Sequence, residues 1–391
     1  MSFRPIRFYF TLPMLVSGFI AVLVGYTSSA AIIVQAAQAA GASPAETGSW
    51  LAALGFAMGI STLGLSLWTR MPVLTAWSTP GAALLLTSLH GVTLNEAVGI
   101  FVFSNALIVL CGVTGMFARL MRIVPPSLAS AMLAGILLRF GLETFAGLQS
   151  NFLLCGSMCL VWLICRRAAA RYAIIFALIT GLAVAFMQHA IRVPAHYAVF
   201  AAPQGIMPHF SLSALIGTGL PFFLVTMASQ NAPGIATLQA HGYRPPVSSL
   251  ISWTGIVALM LSPFGGFSVC IAAITAAICM GDDVDSDPQR RWMASTLAGV
   301  FYLLAGASGA VIGLLFIALP VAMTGTLAGL ALLNTLSGSM QRMLAQPAER
   351  DAALIAFLIT ASNLSLAGVG SAFWGLTGGL LAHLILTRSA T

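Results

Sequence analysis

The second half of this chain restates the first. Leu23-Val24 with Ser28, Ala31, Gln38, Ala39 and Gly41 reappear as Leu224-Val225 with Ser229, Ala232, Gln239, Ala240 and Gly242. Trp77-Ser78 and Ala82-Ala83 return as Phe267-Ser268 and Ala272-Ala273. Gly112, Gly115, Ile123, Pro126 and Leu133-Ala134-Gly135 return as Gly306, Gly309, Ile317, Pro320 and Leu327-Ala328-Gly329. The three matches keep their order, and their offsets, from 190 (Trp77 to Phe267) to 201 (Leu23 to Leu224), differ only by loop-sized steps. The repeated stretches are apolar runs interrupted by Gly and Pro. Duplicated halves with interrupted spans mark a secondary transporter, whose binding site lies where the repeats meet.

The solvent for such a chain is lipid. Of 391 residues, 59% are hydrophobic and 6% are charged, more apolar surface than a water-soluble domain can hide. Its 16 basic residues are all Arg and are scattered rather than gathered into a patch, which argues against nucleic acid despite a net charge of +7. The six cysteines lie in or at the ends of apolar runs and read as packing residues, and Cys155 and Cys159 have no His or carboxylate placed to complete a zinc site. No metal and no cofactor are expected. The run from Leu15 to Val34 is a full span rather than a signal-peptide core.

Apolar runs predict fourteen spans, seven per half: 13–37, 49–69, 73–90, 96–117, 123–143, 151–165, 172–190, 213–238, 247–261, 265–281, 292–315, 318–335, 352–368 and 371–387. Spans 3 and 10 are crowded at their starts by Pro72, Pro80 and Gly81 and by Pro263, Gly265 and Gly266. Proline removes a helical hydrogen bond and drives the preceding residue out of helical geometry, so each of these spans reads as a short extended piece followed by a half-helix. Non-helical backbone at that depth survives only when buried in protein or lining a cavity. With the N-terminus inside, 14 of the 16 arginines fall in cytoplasmic loops, leaving Arg139 and Arg192 on the other side. An odd number of spans per half turns the second half upside down, so the repeat is inverted and both termini are cytoplasmic. The expected fold class is an all-α polytopic membrane protein.

Polar residues inside the spans locate candidate chemistry. Span 1 carries Tyr26-Thr27-Ser28-Ser29, and its counterpart in span 8 carries Gln230 and Asn231 ahead of Pro233. Such side chains are costly in lipid and turn toward the protein interior, either to serve a ligand or to glue helices around a proline kink. Spans 3 and 10 should present half-helix N-termini near Ser78-Thr79-Pro80-Gly81 and Ser268-Val269-Cys270. Unpaired amides and the positive end of a helix dipole make such a start an anion site. Two of them facing each other suit a small carboxylate or inorganic anion, and Tyr26, Trp77, Phe264 and Phe267 lie close enough in sequence to wall an aromatic ring or simply to fill the core. The candidate substrate-binding residues are Tyr26, Ser28, Ser29, Trp77, Thr79, Pro80, Gly81, Gln230, Asn231, Phe267, Ser268 and Val269. Arg139 and Glu143, four apart on span 5, most simply pair with each other; they are also the candidates for proton coupling. The acidic run Asp282, Asp283, Asp285 and Asp287 lacks the central Gly and closing Glu of a calcium loop and reads as a solvated cytoplasmic loop.

At Ser229–Gly234 (SQNAPG), Thr75–Ala83 (TAWSTPGAA) and Leu261–Gly265 (LSPFG), the chain resembles the benzoate transporter family of bacterial inner membranes, and the likeness runs from span 1 to span 14. The resemblance implies proton symport of benzoate or a related aromatic carboxylate. It also implies the wider fold of uracil/xanthine permeases and sulfate/bicarbonate transporters. In that fold spans 1–4 (13–122) and 8–11 (213–316) form a core domain. Spans 5–7 (123–190) and 12–14 (317–388) form a gate, and an external loop (191–212) joins the halves. The core is expected to move as an elevator against the gate, and a homodimer to form through the gate domains. Nucleobase permeases carry Glu in spans 8 and 10, where this chain has Gln230, Asn231 and no acid, which disfavours a nucleobase. The competing reading is an inorganic-anion exchanger or channel of the same fold. An enzyme is not expected, since no paired intramembrane acids, HExxH motif or nucleophile–His–acid set can be assembled.

Overall fold

A computed structural model describes residues 10–117, 119, 125–192, 203–366 and 370–388; residues 193–202 of the expected external loop lie outside them. The first half folds as α1 (Leu12–Ala39), α2 (Pro44–Thr69), β1 (Thr75–Trp77), α3 (Thr79–Ser88), α4 (Leu94–Val113), α5 (Pro126–Ser150), α6 (Phe152–Ala168) and α7 (Ala173–Met187). The second half folds as α8 (Leu212–Ala240), α9 (Val247–Leu261), β2 (Val269–Ile271), α10 (Ile274–Ile278), α11 (Trp292–Ala307), α12 (Gly309–Ala318), α13 (Val321–Met343), α14 (Arg350–Ala361) and α15 (Ser371–Arg388). Among the described residues seven helices are long and apolar enough to cross a membrane, and an eighth crossing results if α11 and α12 are taken as one bent span. The chain is a mostly helical, polytopic membrane protein.

Local sequence explains where these helices start and stop. Capping boxes open α2 (Ser43 with Glu46) and α4 (Thr93 with Glu96), so the two glutamates satisfy backbone amides at the water boundary. The repeat-related glycines Gly41 and Gly242 both take left-handed backbone, with φ of 79° and 84°. Each closes its helix by the same pair of bonds, Gly41 N to Gln38 O with Ala42 N to Ala37 O, and Gly242 N to Gln239 O with Tyr243 N to Leu238 O. Helix α8 runs through two prolines because π turns at Leu215–Gly219 and Met227–Asn231 each end two residues ahead of one, Pro221 and Pro233. The wider turn relieves the clash between the proline ring and the preceding carbonyl.

Two expectations need correction. The half-helix start expected at Ser268–Cys270 is displaced: Val269–Ile271 form β2, and the helix begins at Ile274. Left-handed Gly265 (φ 92°) sits against Trp50, where a Cβ would lie 1.9 Å from the indole, and Gly266 follows it; the chain therefore stays extended for several residues longer. The strands accordingly relate by an offset of 194 (Thr75 to Val269), not the 190 that pairs Trp77 with Phe267. Span 11, expected unbroken over 292–315, bends by 65° between α11 and α12. Gly306 and Gly309 flank the break at Ser308 and lie directly on the α2 backbone, where a Cβ would come within 2.8 Å of Phe56 N and 2.5 Å of Ala52 N.

The halves interleave. Helix α2 packs on α11 and α12, α4 on α9, α1 on α3, α10 and α11, and α5 on α13 and α14. The centre of the fold holds a buried aromatic cluster of Trp50, Phe101, Phe222 and Phe267, with ring centroids 5.1 to 6.4 Å apart.

Candidate substrate site

The interrupted segments meet as a two-stranded antiparallel sheet, with Thr75 opposite Ile271, Ala76 opposite Cys270 and Trp77 opposite Val269. Residues facing each other in such a pair alternate between bonded and non-bonded kinds. Ala272 N donates to Leu74 O across the pair, whereas three other amides turn away from the opposing strand. Thr75 N donates to Thr62 Oγ1 (3.0 Å), Trp77 N to Met58 Sδ (3.2 Å) and Ile271 N to Asn231 Oδ1 (2.9 Å). By the same alternation the amide of Val269, across from Trp77, points away from β1.

Around this joint the structure assembles several of the expected residues. Trp77 is buried, its indole N–H donates to Ser29 Oγ at 2.7 Å, and its ring meets Tyr26 edge-on at 4.6 Å. Tyr26 in turn leans on Tyr302 of α11, at 6.2 Å between rings. Among the described residues the buried Tyr26 phenol oxygen has no hydrogen-bond partner, and that of Tyr302 is buried beside Thr275. Asn231 is fully buried on the second π turn, where its amide nitrogen approaches Met227 Sδ at 3.3 Å. Gln230, next to it, is half-buried. Gly234 lets α8 lie on β2, since a Cβ there would meet Ile271 O at 2.2 Å.

Other expected residues are engaged elsewhere. Ser28 Oγ donates back to Gly25 O within α1 (3.0 Å), as hydroxyls in helices commonly do. Gly81 N donates to Ser78 Oγ (3.1 Å), which caps α3 and also accepts from Thr226 Oγ1 of α8 (3.0 Å). Thr79 and Pro80 form the first turn of α3 behind that cap. Phe267 faces the aromatic cluster rather than Trp77, and the buried Ser268 hydroxyl has no partner among the described residues. Arg139 and Glu143 form an ion pair of 2.7 Å with both side chains half exposed, away from the sheet. Such pairs contribute little to stability. Among the described residues no group of three His, Cys, Asp or Glu is placed to hold a metal ion.

Sequence reasoning missed the residue that steadies the second strand. Asn105 of α4 is fully buried, and its Nδ2 donates to Phe267 O and Ser262 Oγ, both at 3.0 Å. Its signal was visible, a lone amide in the middle of the apolar 97–117 run, where only an internal partner makes burial tolerable. Two cavities of about 550 and 360 Å³ open near the ends of α2, α4, α8 and α9, and none of the expected site residues lines them.

The family model described as benzoate membrane transport protein matches residues 9–385. The chain is 58% identical over 378 residues to Inner membrane protein YdcO of Escherichia coli (strain K12), covering 97% of each. It is 37% identical over 374 residues to the Benzoate membrane transport protein of Acinetobacter baylyi, covering 95% of each. Among solved structures it resembles SLC26A9 (TM-score 0.66, 13% identity, 96% of this chain and 66% of that one). It also resembles the transmembrane domain of the cyanobacterial bicarbonate transporter BicA (TM-score 0.61, 15% identity, 96% and 97%). At these identities the structural likeness speaks for the fold alone.

Proposed function

Because this chain belongs to the benzoate membrane transport protein family, and is thus a membrane transporter rather than an enzyme, we propose that it carries benzoate or a related aromatic carboxylate across a bacterial inner membrane together with protons. The observation that carries the reading is the joint of β1 and β2. There an outward-turned amide at Val269 stands across from the Trp77–Tyr26 aromatic pair, with Asn231 clamped on Ile271 of the same strand and half-buried Gln230 preceding it on α8. The carboxylate rests on the Val269 amide and on side-chain donors from Gln230, with Ser29 reached through Trp77. The ring lies against Trp77 and Tyr26. Backbone amides and neutral side chains bind an anion without placing another charge in the membrane.

The wider organisation belongs to the same proposal. Fourteen segments form a seven-plus-seven inverted repeat, with both termini cytoplasmic. The packing of α2 on α11 and of α4 on α9 supports it, since an inverted two-fold exchanges those two contacts. Residues 13–122 and 213–316 form the core that carries the site, and 123–190 and 317–388 the gate against which it slides as an elevator, with dimerisation through the gate. Glu143 and Arg139 are the coupling candidates. The deciding experiment is uptake of radiolabelled benzoate into liposomes with and without an inward proton gradient, with bicarbonate and sulfate as competitors. Gradient-driven uptake resistant to both inorganic anions supports the proposal. Uptake of the inorganic anions in place of benzoate overturns it.

A further inference from the structure

Away from the sheet, the larger cavity is a groove between α2, α4 and α9, walled by Leu65, Trp68, Val113, Trp253 and Ile256 and floored by Gly64 and Gly112. The floor is made by close approach: a Cβ on Gly64 would lie 3.1 Å from the Trp253 ring, and one on Gly112 2.5 Å from Ser252 Oγ. Trp68 is 63% and Val113 70% exposed, so the groove opens outward, and in a membrane protein that means toward lipid. Ser248 lines this groove and also the smaller cavity, which adds Phe117, Ile235 and Gln239, so the two adjoin.

One end of the groove is basic. Arg70 follows the lining residue Trp68 by two positions at the left-handed end of α2. Arg119 follows Phe117 by two, and Arg244 precedes Ser248 by four. All three are exposed, and none is in an ion pair among the described residues. The paired acids of the 281–291 loop, Asp282 and Asp287, are held by Arg291 and Arg290. Pro246 also leaves the first amides of α9 without a side-chain cap at this end.

We propose that this groove is a binding site for one anionic phospholipid, its acyl chain lying along Leu65, Trp68, Trp253 and Ile256 and its phosphate facing Arg70, Arg119, Arg244 and the start of α9. The bilayer supplies the occupant, since an apolar groove open to lipid fills with hydrocarbon. The three exposed arginines, in no ion pair among the described residues, select the charge of the headgroup.

The test uses the purified full chain in phosphatidylcholine nanodiscs, titrated with phosphatidylglycerol or with further phosphatidylcholine, each brominated on the acyl chain. The readout is the quenching lost in Trp68→Phe/Trp253→Phe, which isolates these two indoles. Brominated phosphatidylglycerol should quench them at a mole fraction at least ten-fold lower than brominated phosphatidylcholine. Each of Arg70→Gln, Arg119→Gln and Arg244→Gln should erode that preference by roughly five-fold. Ile256→Phe, which narrows the groove and leaves the arginines, should also reduce it. Equal quenching by the two lipids overturns the proposal. So does a preference that survives the triple Gln variant. A preference lost in the triple variant but intact in Ile256→Phe overturns it as well, because it reports surface charge without a groove.

Discussion

The two strand–helix units that meet at the centre share a backbone plan and differ in what holds them. The first is largely self-supporting: α3 has ten residues, its cap is its own Ser78, and β1 is tied to the adjacent α2 through Thr62 and Met58. The second is held from outside: α10 has five residues and no side-chain cap, β2 depends on Asn231 from α8, and Phe267, two residues before the strand, depends on Asn105 from α4. Even the end of α10 is fastened by a distant residue, the buried Arg291, whose guanidinium donates to Met280 O at 2.6 Å. A unit stabilised by its own cap keeps its shape when neighbours move, and one clamped by neighbours changes when they do. The second unit is therefore the more responsive of the two, and its clamps are where substitutions will tell most.

The largest expected effect is at the contact of α8 with β2. Gly234→Ala drives a Cβ to 2.2 Å from the backbone oxygen of Ile271, so α8 and β2 must separate. Benzoate uptake by reconstituted protein should fall below a tenth of wild type; unchanged uptake would mean that this contact does not shape the site. Next is Asn105→Leu, which leaves the Phe267 carbonyl unpaired in the core and should cost about 1–3 kcal/mol, read as a lowered midpoint of thermal unfolding. On the self-supporting side, Ser78→Ala made in a Thr226→Val background, so that no buried hydroxyl is orphaned, should cost only about 1 kcal/mol, a typical cap loss, with transport largely retained. If Ser78→Ala proves more damaging than Asn105→Leu, the contrast between the units is reversed. Smallest of all, Glu143→Gln removes a half-exposed pair and should shift stability by less than about 1 kcal/mol. The same variant informs on coupling: proton-driven uptake is lost if Glu143 carries the proton.

Punctuation was legible in the sequence, and wiring was not. Pro72, Pro80, Gly81, Pro263, Gly265 and Gly266 announce departures from helix because their effects are local and steric. Polar pairs such as Gln230-Asn231 announce an interior face because lipid cannot solvate them. Register across the repeat was hidden, since matching Trp77 with Phe267 by aromatic character overlooks the longer extended stretch that Gly265 and Gly266 permit. Asn231 reads in sequence as a ligand group; in the fold its oxygen already serves Ile271, a partner 40 positions away. Asn105 is the same case, bonded to residues 157 and 162 positions along the chain, a distance over which no local pattern carries information. The bend at Ser308 was equally invisible, because Gly306 and Gly309 stand in the sequence only as repeat partners of Gly112 and Gly115, and only their seat on α2 makes them a break.

That second role for Asn231 sharpens the decisive measurement. Asn231→Leu would confuse two effects, since it leaves the buried Ile271 amide without an acceptor. Asn231→Asp keeps that acceptor and adds a negative charge beside the Val269 amide. The measurement is benzoate binding to the purified Asn231→Asp protein at pH 7.5 and again in acid, beside wild type. Repulsion between two such charges about 4 Å apart is worth roughly 4 kcal/mol, so binding at pH 7.5 should weaken by about 1,000-fold and recover in part as acid protonates the new carboxyl. Benzoate binding to Asn231→Asp at wild-type strength at pH 7.5 would place the anion elsewhere and contradict the site.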